Sequence, residues 1–164
     1  MGLQSYLEAH GRAGRVLLVF AVALFFGVSC CAWHEYGHLI AARILGVSAE
    51  IFSTALNQTH PDVYDWRIVP IAYSGGALVA VCLFFLDALI DVPEWELGLR
   101  PVAVIEAVYG VAEGTWFLAW YMGWLEGHLW WTANGLSAGA ALGGAVATAS
   151  LLIELWRRGW LRPD

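Results

Sequence analysis

VLLVFAVALFFGVSCCAWHEYGHLIAARILGV, residues 16–47, decides the fold. Its first eighteen residues, Val16 to Trp33, carry no charged group, which is the length and composition of a helix that crosses hydrocarbon. The run then admits His34, Glu35 and His38 on adjacent turns. An ionised acid at mid-bilayer costs about 2.5–3.5 kcal/mol, so these groups need a compensating partner. In a helix His34 and His38 stand one turn apart on one face, with Glu35 beside them. H-E-x-x-H on a helix is the pattern in which two imidazoles bind zinc and the carboxylate serves as general base. A metal ion would neutralise the acid and take up the imidazole lone pairs.

The rest of the chain agrees with a membrane setting. Of 164 residues, 60% are hydrophobic and the mean hydropathy is +0.64, against roughly 45–50% apolar in soluble domains. One compact domain over residues 1–164 is expected, an all-α polytopic membrane protein with about four transmembrane helices. The spans fall at about 14–45, 68–90, 102–121 and 136–156, and a short β-hairpin-like interfacial segment, 47–67, follows the first. Residues 1–13 read as an interfacial lead. The first apolar run passes straight into the motif, so it is expected to be retained rather than removed as a signal peptide. Every cation is Arg, and no basic run interleaved with aromatics points to nucleic acid. The lipid bilayer is the expected surroundings, and the cell membrane the expected location.

In the β-prone segment, Ala49 to Ser53 and Val63 to Val69 flank a polar Asn57-Gln58-Thr59-His60-Pro61-Asp62 turn, in which His60 reads as a solvated loop residue. A short acidic loop, 91–96, precedes Pro101, which opens the third span. That span carries Glu106 and Glu113, seven residues apart and so on one face. Residues 122–136 form a Trp-rich loop with Glu126 and His128, an aromatic belt by composition. Gly135, Gly139 and Gly143 make overlapping G-x-x-x-G steps that permit close helix packing. Cys30 is no third ligand. With His34 and His38 it makes a straight row about 12 Å long, which cannot close around one ion. Either Glu113 or Glu106 can supply that ligand, since a carboxylate binds zinc well.

His34-Glu35-Tyr36-Gly37-His38, followed by Ala42-Arg43 and Gly46-Val47, resembles the signature helix of the site-2 protease family of intramembrane zinc metalloproteases. The strand-prone stretch 47–69 resembles that family's membrane-associated β-hairpin, and Ile71-Ala72-Tyr73-Ser74-Gly75-Gly76-Ala77 its small-residue entry into the next helix. The resemblance covers roughly residues 16–120. It implies a zinc-dependent endopeptidase that cleaves membrane-embedded proteins or peptides. His34, His38 and an acid on a later helix would hold one Zn2+ per chain, and Glu35 would be the base for the attacking water. The family's third ligand comes from an Asp-Gly pair, which this chain lacks. Glu113-Gly114 is the acid-glycine pair in the corresponding helix, which makes Glu113 the expected ligand and Glu106 a residue lining the site. Two rival readings stand beside this one: a non-catalytic zinc-binding scaffold of the same fold, and a small metal or proton transporter.

Arg12, Arg15, Arg100, Arg157, Arg158 and Arg162 fall on one side of the four-span arrangement, and Arg43 and Arg67 on the other. That bias puts both termini in the cytoplasm; the family resemblance implies the opposite.

Overall fold

A computed structural model describes residues 3–52, 58–61, 65–125 and 132–161. Its elements run α1 (Leu3–Ile44), β1 (Ala49–Phe52), β2 (Gln58–Pro61), α2 (Ile68–Leu89), α3 (Pro93–Tyr121) and α4 (Thr132–Arg157). Among the described residues, three helical stretches are long and apolar enough to cross a membrane: Ser5–Ile44 of α1, then α2 and α3.

The helices run up and down. Arg15 near the start of α1 binds Glu94 in the first turn of α3. Val19, Leu97, Leu151 and Leu155 form one apolar cluster there, so the start of α1, the start of α3 and the end of α4 share one end of the bundle. Arg100 of α3 reaches Asp87 near the end of α2 at 3.2 Å. At the other end, Ala42 and Val47 pack on Ile71 at the start of α2. Between the ends, Val22, Cys30, Val79, Leu83, Leu99, Val102 and Ala103 fill the space enclosed by α1, α2 and α3. Cys30 is thus a packing residue. The outward surface is apolar too: Phe25 is 66% exposed, Val28 68% and Phe85 68%. A belt of this kind is unfavourable in water and suits contact with lipid.

Two boundaries differ from the sequence reading. The lead 1–13 is helical from Leu3 and joins α1 across Gly11, whose φ of 52° and ψ of −136° break the helix axis. Glycine alone adopts such angles without strain. The third helix begins at Pro93, not after Pro101, so the acidic loop supplies its first turn. Proline suits that first position because its missing N–H has no helical partner there. Glu94 and Glu96 lie in the same turn, where acids favour the positive end of the helix dipole. Pro101 sits inside the helix.

The two strands pair antiparallel, with Glu50 opposite His60 and Phe52 opposite Gln58. The expected hairpin is present with Gln58–Pro61 as its second strand; of the stretch Val63 to Val69, the described residues 65–69 form a turn and the start of α2. His60 is therefore a strand residue by backbone. Apolar Ile68 and Ile71 belong to α2, where they are buried. Asp65 turns the chain: its carboxylate accepts from the Arg67 backbone N–H at 2.9 Å and from the guanidinium at 2.8–3.1 Å. Hydrogen bonding from Arg67 holds the Asp65 carboxyl below the usual aspartate range. Glu126 and His128 lie outside the described residues, and residues 132–136, expected in the Trp-rich loop, belong to α4.

Candidate metal centre

On α1 the buried positions Val19, Val22, Cys30, His34, His38 and Ala42 recur at three- and four-residue steps or their multiples. That face turns to α2 and α3, and the two His are part of it, each 5% exposed. On α3 the matching face carries Leu99, Val102, Ala103, Gly110 and Gly114, all buried, with Glu106 and Glu113 among them.

Glycines bring these faces together. A Cβ added to Gly37 of α1 would stand 2.8 Å from the Gly75 Cα of α2, and one added to Gly110 of α3 would stand 2.8 Å from the Gly76 Cα. The Ser74-Gly75-Gly76 cluster therefore lets α1 and α3 approach α2 from either side, which places His34 and His38 across from the acids of α3. Gly75 also borders the imidazoles. A Cβ there would lie 2.6 Å from His38 Nε2 and 2.7 Å from His34 Nε2, so glycine keeps clear the space before both nitrogens.

The expected residues converge. Glu113 Oε2 is 3.1 Å from His34 Nε2 and 3.3 Å from His38 Nε2. Glu106 Oε2 is 3.0 Å from His34 Nδ1, on the opposite edge of that ring. His38 Nδ1 lies 2.7 Å from the carbonyl oxygen of Ile71. The two His rings stand edge to face, with centroids 4.7 Å apart. A carboxylate oxygen of Glu35 and a ring nitrogen of each His all lie within 4.8 Å of one another.

These contacts constrain the tautomers. A carbonyl oxygen only accepts, so His38 carries its proton on Nδ1 and presents a lone pair at Nε2. Glu106 and Glu113 flank the two nitrogens of His34, whose ring satisfies both acids as an imidazolium, or keeps its proton on Nδ1 when a metal ion takes Nε2. The Nε2 lone pair of His38 and the Glu113 oxygen face each other at 3.3 Å, which is unfavourable without a cation or proton between them. One proton can bridge only two of the three atoms His34 Nε2, His38 Nε2 and Glu113 Oε2, whereas a metal ion satisfies all. Ligands about 2.0–2.2 Å from a tetrahedral zinc stand about 3.3–3.5 Å apart, close to the two Glu113 distances. The residues therefore fit a metal ion. Glu113 Oε2 lies within 3.3 Å of both Nε2 atoms, and a Glu35 oxygen lies within 4.8 Å of a nitrogen of each His. Glu106 reaches the site through the far nitrogen of His34 and not through the shared center of the three donors.

Tyr109 is the site residue that the sequence reading passed over. Its ring packs edge-on to His34, with centroids 5.0 Å apart. It lies three residues after Glu106 and four before Glu113, and that spacing was the available signal.

Comparison with protein-family models, with curated proteins and with solved structures finds no match to this chain. The described geometry is what bears on its chemistry.

Proposed function

We propose that this chain is an intramembrane zinc metallopeptidase of the site-2 protease type, with four membrane spans, α4 being the last. The observation that carries the reading is the convergence of three potential ligand atoms, His34 Nε2, His38 Nε2 and Glu113 Oε2, inside an otherwise apolar bundle. His34, His38 and Glu113 would hold the ion, and Glu106 and the Ile71 carbonyl would orient the two rings. Carboxylate or carbonyl partners of this kind fix a ligand's tautomer and raise its basicity.

Bound zinc supplies Lewis acidity toward a water and a peptide carbonyl. Glu35, next to His34 on the helix, accepts the proton of the attacking water and returns it to the leaving amine. The apolar bundle keeps bulk solvent from the acids, which strengthens each electrostatic contact. The substrate is a membrane-embedded protein or peptide. It must be extended at the cleaved bond, because a helix hides its carbonyls in internal hydrogen bonds. The β1–β2 hairpin stands at the end of the bundle nearer the site and offers strand edges of the kind that bind extended peptides.

The test is made on the purified full chain in detergent micelles, with metal analysis and a panel of fluorogenic apolar peptides. One zinc per chain and cleavage by the unaltered protein are expected. Glu35→Gln should keep the zinc and abolish cleavage. Retained cleavage in Glu35→Gln would remove Glu35 as base. Stoichiometric zinc with no turnover would turn the reading to a zinc-binding scaffold.

A further inference from the structure

Peptide hydrolysis builds negative charge on the carbonyl oxygen, and a hydrogen-bond donor aimed at that oxygen is among the largest contributions an active site makes. Most polar donors near this site are committed elsewhere. The Ser74 hydroxyl is within bonding distance of the Gly37 and Ile71 carbonyl oxygens. Tyr73 and Thr115 bond each other at 3.1 Å. Cys31 donates to Gly27. Arg100, the one cation within α2 and α3, is held by Asp87 and Glu96 at the far end of the bundle.

The Tyr109 phenol is different. Its ring is fixed edge-on to His34, on the α3 face that carries Glu106 and Glu113. Charges on Glu113, Glu35 and Glu106 all act on the phenol, and no hydrogen bond ties its hydroxyl to a described residue. A phenol set in an apolar helix ordinarily finds a partner. A rigid, uncommitted donor beside the metal-binding set is suited to an oxygen that arrives with the substrate.

We propose that Tyr109 is a catalytic residue whose hydroxyl donates a hydrogen bond to the carbonyl oxygen of the peptide bond under attack. The phenol keeps its proton throughout, and no bond to Tyr109 forms or breaks. This assignment rests on the metallopeptidase reading.

Tyr109→Phe keeps the ring and removes only the donor. Three quantities are compared with the unaltered chain: bound zinc, the split between kcat and KM on an apolar peptide, and affinity for a phosphinic peptide whose tetrahedral oxygens mimic the developing charge. Zinc should be unchanged and KM should stay within about twofold. The kcat should fall about 10²–10³-fold, and the phosphinic peptide should bind at least about tenfold more weakly. Equal kcat and equal phosphinic affinity in a protein that cleaves would overturn the role of Tyr109 and leave the peptidase reading intact. Loss of zinc in Tyr109→Phe would also overturn it, by showing that the hydroxyl serves the metal set. An unaltered chain that holds zinc but neither cleaves nor binds the phosphinic peptide would overturn both.

Discussion

Glu94, buried, and Glu113, partly buried, are two acids on one helix about five turns apart, and their surroundings could hardly differ more. Glu94 is 1% exposed and is bonded by Arg15, whose own side chain is 40% exposed and reaches solvent. The Arg15 guanidinium also stands 5.6 Å from the Trp160 ring. That acid is balanced by a cation the chain itself provides. Glu113 faces the Nε2 atoms of His34 and His38, and among the described residues no Arg is bonded to it. Burial of a carboxylate thus says little about function. What distinguishes the two is the partner: a permanent cation for Glu94, and two imidazoles that can also ligate a metal ion for Glu113.

The contrast is broken most directly by removing each acid in turn. Glu113→Ala should weaken zinc binding by more than about 100-fold, beyond what loss of an orienting partner does. Glu94→Ala should leave bound zinc unchanged and lower the melting temperature instead, because it removes the buried partner of Arg15. Competition with a chelator and thermal unfolding separate the two; the opposite pattern would exchange their roles. Next in size is Gly75→Ala. Its methyl group would enter the space before both Nε2 atoms, so zinc affinity should fall by at least about tenfold while helical circular dichroism is kept. Glu106→Ala should follow, with about a 10–100-fold loss of affinity, and Glu106→Gln should lose less because its amide oxygen still accepts from His34 Nδ1. Equal zinc affinity in Glu106→Ala and the unaltered chain would show that this acid does not orient the ring.

The smallest effect belongs to Asp65, outside the spans. Its carboxyl is held below the ordinary aspartate range by Arg67. The pair's contribution is therefore complete above the unfolded aspartate pKa and fades as pH falls through the lowered folded value. Asp65→Asn should remove that acid-side dependence of stability and leave neutral-pH zinc binding unchanged, measured by unfolding across pH.

The polar interruptions of apolar runs were the legible part of the sequence. His34, Glu35 and His38 stood out because their chemistry conflicts with hydrocarbon, and Glu113 and Glu106 for the same reason. The structure gathers all five. Helix ends were less legible. Pro101 reads as a start because proline usually opens a helix, yet Pro93 already holds that position and a long helix accommodates the second proline. The second strand was misplaced because Val63 to Val69 is apolar enough for a strand, whereas Asp65 and Arg67 turn the chain and Ile68 and Ile71 pack as helix. Tyr109 was missed because a tyrosine in an apolar span conflicts with nothing. Only its neighbours in space give it meaning.

The site is far from centred along its helix. His38 lies about 9 Å from the end of α1 at Ile44, while His34 lies about 33 Å from the residue after the Gly11 break. The intervening length is packed with Val22, Cys30, Val79, Leu83, Leu99, Val102 and Ala103. The site thus lies close to the hairpin rim and far from the opposite one. In the proposed membrane setting, that placement would expose a bound metal to the ionic composition of one compartment rather than the other.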